Sequence, residues 1–305
     1  MRIGLHGQAN LVGPNAIDEL TDAARSAERD GLEYWLPQGF AVDALTALAV
    51  VGERTSTVGL GTFVVPTYSR HPMVMAMQAL TAQAATGGRF TLGVGLSHRP
   101  VIERAFGLSF DTPVRHMREY LSMLVPLLHG EKVRFAGEEL AGGGFSPVVV
   151  PGASAPPVLV AALGPQMLRV AGRLADGTVL WMVGPRSVAD HVVPTITAAA
   201  DAAGRPRPEV IVGLPVAVTA DADATRARAA EQFAFYAGLP SYRAALDREG
   251  VRDPLDVAVV GDEESVATQL HQLVDVGATG FVLHTFGSPD EQARTTSLLG
   301  ELARV

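Results

Sequence analysis

Short apolar runs alternate along the chain with longer segments whose apolar residues recur every three to four positions. Arg2–His6 reads as a strand. Ala16–Asp30 reads as a helix, with Ile17, Leu20, Ala24 and Ala27 on one face and Gly31 as its stop. The pair repeats as Leu32–Leu36 with Val42–Arg54, then as Val58–Val65 with Pro72–Ala85, and a fourth strand follows at Arg89–Gly95. The rhythm then changes. Pro100–Phe106 and Thr112–His129 read as helices, and Glu131–Pro157 as a Gly/Pro-rich irregular stretch holding a hairpin. Strand–helix alternation resumes with Val158–Ala162 and Pro165–Ala175, Gly177–Met182 and Ser187–Ala203, and Val210–Val218 and Ala222–Phe235. A second irregular stretch carries a short helix at Tyr242–Arg248. Helix Glu263–Val276, strand Phe281–Thr285 and helix Asp290–Ala303 close the chain.

Eight strand–helix units in 305 residues predict an α/β fold, a (β/α)8 TIM barrel with insertions after strand 4 and strand 7. One domain spanning residues 1–305 is expected, with the first insertion at about 96–157. A doubly wound sheet is the alternative. It has fewer strands and a Gly-rich first turn, whereas the first turn here is His6-Gly7-Gln8-Ala9-Asn10-Leu11.

Composition narrows the chemistry. The chain is 48% hydrophobic and has no cysteine, which excludes a disulfide scaffold, Cys-ligated metal and a thiol nucleophile. A formal net charge of −8 argues against a nucleic-acid partner. The only lysine, Lys132, lies in a charged stretch, a poor setting for Schiff-base chemistry. No apolar run approaches the ~20 residues of a membrane span, and the N-terminus carries no leader signature, so a cytoplasmic protein without a membrane partner is expected.

In a barrel, ligands bind where strand C-terminal ends meet the following loops. His6, His98 and His284 fall on such ends, and Gln38 follows the second strand. These four are the candidates for proton chemistry. A three-histidine metal site is one option, but no Asp or Glu closely follows strands two to six, so no metal is expected. The rim is otherwise apolar, with Phe63, Val64, Trp181 and Met182, which suits a flat cofactor that brings its own chemistry. By alternation, one of Trp181 and Met182 belongs to the barrel core. Two loops ahead of helices, Gly95-Leu96-Ser97-His98-Arg99 and Ala162-Leu163-Gly164-Pro165, are candidate phosphate sites.

The stretch Gly59-Leu60-Gly61-Thr62-Phe63-Val64-Val65-Pro66-Thr67-Tyr68-Ser69-Arg70-His71-Pro72, with Thr86-Gly87-Gly88-Arg89-Phe90-Thr91-Leu92-Gly93-Val94-Gly95, resembles the bacterial luciferase-like superfamily. Arg115-His116-Met117-Arg118-Glu119-Tyr120 and Ala171-Gly172-Arg173-Leu174-Ala175-Asp176-Gly177 support the resemblance, which covers essentially the whole chain. It looks closest to the actinobacterial branch that uses the deazaflavin coenzyme F420.

That resemblance implies an F420-dependent oxidoreductase transferring hydride between the deazaflavin C5 and a small organic substrate. It further implies a homodimer and a separate reductase that supplies reduced cofactor. The cofactor ring would lie against a non-prolyl cis peptide at Thr62–Phe63 or Phe63–Val64, and its phosphate near Leu96, Ser97 and His98 and near Ala162, Leu163 and Gly164. The alternatives are an FMN-dependent monooxygenase and a catalytically silent barrel acting as a binding subunit. Sugar-phosphate dehydrogenase relatives carry an Asp-His pair after the second strand, a carboxylate after the fourth and a lysine beyond the sixth. Here the corresponding positions hold Pro37-Gln38-Gly39-Phe40, a stretch near His98 without a carboxylate, and about Pro185. A sugar-phosphate substrate is therefore disfavoured. Luciferase's own catalytic histidine near the second strand is also absent.

Overall fold

The computed structural model describes residues 1–7, 11–144 and 146–304. Gln8, Ala9 and Asn10, in the first turn where no dinucleotide fingerprint is read, lie outside the described residues.

In chain order the strands are β1 (Ile3–His6), β2 (Glu33–Leu36), β3 (Leu60–Thr62), β4 (Val65–Pro66), β5 (Phe90–Gly95), β6 (Arg134–Ala136), β7 (Ala141–Gly143), β8 (Val158–Ala161), β9 (Gly177–Trp181), β10 (Glu209–Val218), β11 (Val259–Gly261) and β12 (Gly280–Thr285). Eight of them, β1, β2, β3, β5, β8, β9, β10 and β12, pair in parallel and in that order, and β12 pairs back to β1. This is the closed (β/α)8 barrel that the alternation predicts. Both faces of such strands are covered, which explains their near-continuous apolar runs; in β10 every residue from Val210 to Val218 is buried.

Local signals place the helices. Asn15 caps helix Ala16–Asp30 by accepting from the N–H groups of Ile17 and Asp18, and Gly31 ends it in the left-handed region at φ 74°. Asp43, His71 and Asp262 cap three others in the same way. The segment read as one helix over 187–203 widens into a π turn at Val188–Val192. Pro194, two residues on, has no N–H to bond the Asp190 carbonyl.

Two packed regions divide the interior. The larger lies between the barrel and its helices. The smaller fills the barrel itself: Trp35, Leu159, Val179, Ile211 and Val282 form a plug, with Phe63, Val64 and Ala161 resting on it. At the opposite end Arg2 bridges Glu33 and Glu209, and Trp35 Nε1 donates to Glu33 at 2.8 Å.

Both insertions are present. Between β5 and β8 lie helices Arg99–Ala105 and Pro113–Leu128 and the antiparallel β6–β7 hairpin. Between β10 and β12 lie helices Ala222–Ala237 and Pro240–Glu249, the short strand β11 and helix Glu263–Asp275. β11 pairs only with the end of β10, outside the closed ring; the sequence reading leaves it inside the irregular stretch. The third strand, expected as Val58–Val65, is divided into β3 and β4, and Phe63 and Val64 separate the two pieces.

Candidate active site

At the C-terminal end of the barrel, the strands and both insertions enclose a cavity of about 980 Å³. That is the upper end of the range for small-molecule sites. Its floor is the top of the barrel plug. Phe63 and Val64 lie there, joined by a cis peptide bond, at one of the two positions the resemblance implies. Small residues make this possible. A Cβ on Gly95 would stand 2.6 Å from Val64 Cγ2, and one on Gly213 would strike the Phe63 ring and the Leu180 carbonyl.

An aromatic group forms the adjoining wall. The His6 ring stacks on Trp181 at 5.4 Å and meets Phe63 edge-on at 5.1 Å, while Phe63 and Trp181 meet edge-on at 5.9 Å. Behind His6 stands His284, 5.2 Å away and edge to face. Gln232 donates its amide N–H to His284 Nε2 at 3.1 Å, which puts the His284 proton on Nδ1. Burial, and secondly the neighbouring His284, lowers the pKa of His6 to about 3. Burial lowers that of His284 to about 4 and also lowers that of His98. All three rings are neutral at pH 7. His6 Nδ1 is shut away from solvent and has no hydrogen-bond partner among the described residues.

The opposite side is built from two loops. Gly95, Leu96, Ser97 and His98 line the cavity after β5, with Ser97 held in the left-handed region at φ 59°. Ala162, Leu163 and Gly164 line it after β8. Gly164 is the N-cap of helix Pro165–Leu174 but offers no side chain to cap it, and a Cβ there would meet nothing within 4 Å. The first N–H groups of this helix therefore have no side-chain cap, in a place that favours an anion.

Of the residues singled out from the sequence, His6, Gln38, Phe63, Val64, Gly95, Leu96, Ser97, His98, Ala162, Leu163, Gly164 and Trp181 converge on this one cavity. Five do not line it. Thr62 is buried and bonds both the N–H and the carbonyl of Gly93, pinning β3 to β5. Met182 is buried beneath the wall, so Trp181 faces the cavity and Met182 is core; it follows β9 with its backbone in the left-handed region at φ 55°. Pro165 is exposed at its helix start. His284 stands behind His6. Arg99 is exposed and turned away, bonding Glu103, Asp111 and the Phe110 carbonyl.

Gln38 lines the cavity with its amide engaged. It donates to the carbonyls of Gly39 and Val42 at 2.8 and 3.0 Å and accepts from the Ala44 N–H at 3.0 Å. It shapes the loop after β2 and is not free to order a water. His6, His98 and His284 do not gather around a point: His98 packs against Phe235 and Tyr242 instead. Among the described residues, no group of three or more His, Cys, Asp or Glu is placed to hold a metal ion.

The loop after β4 adds Arg70, and the insertions add Phe110, Phe235, Tyr236 and Tyr242, wall residues that the sequence reading does not single out. Arg70 pairs with Asp43 beside the cavity. A signal for the aromatic members exists: Phe233, Phe235, Tyr236 and Tyr242 fall within ten residues of a chain that is only 6% aromatic.

Comparison with known proteins decides the kinship of this barrel. A family model described as luciferase-like monooxygenase matches residues 2–280. The chain belongs to the luciferase-like monooxygenase family. Within it, the chain is 30% identical to the F420-dependent glucose-6-phosphate dehydrogenase of Nakamurella multipartita, over 99% of this chain and 95% of that protein. It is also 30% identical to the 5,10-methylenetetrahydromethanopterin reductase of Methanolobus tindarius, over 82% of this chain and 76% of that protein. Among solved structures, the coenzyme F420-dependent tetrahydromethanopterin reductase of Methanopyrus kandleri superposes with a TM-score of 0.81 at 21% identity, over 98% of this chain and 97% of the other. The names of these relatives print glucose 6-phosphate for one and a tetrahydromethanopterin for the other two. No helix among the described residues of this member is long and apolar enough to cross a membrane.

Proposed function

We propose that the chain is an F420-dependent oxidoreductase whose cavity holds the deazaflavin ring on the Phe63–Val64 floor and the cofactor phosphate between the two helix-leading loops. The observation that carries this is the pairing of an aromatic, carboxylate-free wall with an uncapped helix N-terminus at Gly164, within one cavity. The residues present fit the group: the wall suits an uncharged planar ring, and Ser97 with the N–H groups beyond Gly164 suits an anionic tail. The two 30%-identical relatives support this reading, since one is named as an F420-dependent dehydrogenase and the other as a reductase.

When bound, F420 supplies or accepts a hydride at C5 of its ring. The protein supplies position and dryness. Phe63 and Val64 support the ring, and Trp181 and Phe63 keep water from the floor. Neutral His6, whose pKa lies far below 7, orients a polar atom through Nε2 alone and is no acid at neutral pH. A homodimer, a cytoplasmic location and a separate reductase for the cofactor complete the proposal.

An FMN monooxygenase is the alternative, because a flavin has the same ring outline and also carries a phosphate. A catalytically silent barrel would have side chains filling the ring site, and here the cavity stands open. Titration with F420 and FMN in parallel, followed through Trp181 fluorescence, separates the readings. F420 is expected to bind at least tenfold more tightly. Tighter FMN binding overturns the deazaflavin assignment, and binding of neither favours the silent barrel.

A further inference from the structure

We infer that the substrate taken beside the cofactor is an uncharged, predominantly apolar molecule with a ring-sized hydrocarbon body; the inference rests on the deazaflavin reading. The charge inventory of the cavity comes first. Among the described lining residues there is no Asp or Glu. The one permanent cation, Arg70, is already bound to Asp43 and also lies 3.5 Å from Gln38 Oε1. His6 and His98 are neutral, and Tyr236 and Tyr242 keep their protons because burial raises their pKa.

A carboxylate or phosphate on the substrate would leave water without a free partner charge, at a cost that one paired guanidinium does not offset. The cavity's helix-leading loops do offer anion sites, but in the deazaflavin reading the cofactor phosphate occupies them. A cationic substrate fares no better, for want of a carboxylate in the wall.

Apolar surface dominates what remains, and it continues out to the mouth. Phe40, Phe106 and Phe235 line the cavity while 79%, 42% and 58% exposed. They come from three separate elements: the loop after β2, the end of helix Arg99–Ala105, and helix Ala222–Ala237. Three phenylalanines left in water around one opening, joined to a wall of Leu96, Phe110 and Trp181, form a continuous apolar path inward. The volume of about 980 Å³ leaves room for a second ring-sized molecule beside a cofactor ring.

Calorimetric titration with acetophenone, benzoate and glucose 6-phosphate tests this, with protein saturated in F420 so that the helix-leading loops are filled. Acetophenone and benzoate match in size and differ in charge. Acetophenone is expected to bind at least tenfold more tightly than benzoate, and glucose 6-phosphate to give no heat. Phe235→Ser and Phe40→Ser, both at exposed positions, should each weaken acetophenone severalfold while leaving benzoate where it was. The inference is overturned if benzoate or glucose 6-phosphate binds as tightly as acetophenone, or if acetophenone fails to bind at all. Failure of F420 itself to bind overturns the cofactor assignment and this inference with it, whereas a reversed probe ranking on F420-saturated protein overturns the inference alone.

Discussion

His6 and His284 face each other edge to face in a wall that holds both rings neutral, and this arrangement has a consequence for stability. In the unfolded chain each histidine takes up a proton as pH falls through about 6.5. In the fold, protonation waits until about 4 for His284 and about 3 for His6. Between those limits the unfolded state binds more protons, so stability falls as pH is lowered. His284→Asn keeps an acceptor for Gln232 and removes one of the two titrations. Urea unfolding at pH 7 and pH 5 is expected to show a smaller loss of stability in the variant than in the parent; equal losses would remove His284 from the account. On the other side of the cavity, Ser97 and Arg99 are adjacent in sequence but point to different tasks. Ser97→Ala should weaken F420 binding by about 1 kcal/mol, roughly fivefold, the usual size of one hydrogen bond. Arg99→Ala should leave the dissociation constant within about twofold, since its guanidinium is spent on Glu103, Asp111 and Phe110. Fluorescence titration of both variants checks the pair.

At the scale of elements, a buried carboxylate ties the β6–β7 hairpin to the helix that precedes it in the first insertion, beside the pairs Arg115–Glu138 and Thr112–Glu139. Glu119, on helix Pro113–Leu128, accepts the N–H groups of Glu138, Glu139 and Leu140 at 3.1, 2.8 and 3.0 Å, in the turn between β6 and β7. Burial pushes this carboxyl upward, but the three N–H bonds outweigh it and the pKa is lowered. Glu119→Ala leaves these donors without their partner and should cost about 1–3 kcal/mol locally. Limited proteolysis within residues 130–157 is the measurement: cleavage should accelerate about tenfold, and an unchanged rate would mean that the hairpin docks by other contacts. Such a tether is invisible to periodicity, which reports which face of an element is apolar and not where one side chain reaches. The same limit explains the divided third strand. Its apolar run is continuous through Val65, and nothing in the hydrophobic pattern marks the turn of the backbone between Phe63 and Val64. That position is legible only through the resemblance of the surrounding block. The π turn ahead of Pro194 and the three-residue strand β11 escape for a related reason: each is shorter than the window over which a period can be counted.

For the molecule as a whole, the eight strand–helix units are legible because a closed parallel barrel buries both faces of every strand and one face of every helix. The rim histidines and the two helix-leading loops could be found from the rule that barrel ligands sit at strand C-terminal ends. The outer half of the cavity was not accessible in this way. Arg70, Phe110, Phe235, Tyr236 and Tyr242 reach it from loops and insertions, where spacing along the chain carries no information about direction in space. Thr62 and Met182 show the converse: both lie at a strand end, but each is buried in packed protein. A crystal structure of the F420 complex shows whether this cavity seats a deazaflavin. Ring density is expected against Phe63 and Val64, beside Trp181, with the phosphate at Ser97 and the helix start beyond Gly164. Density for the ring anywhere else in the molecule, or a phosphate bound away from both loops, would contradict it.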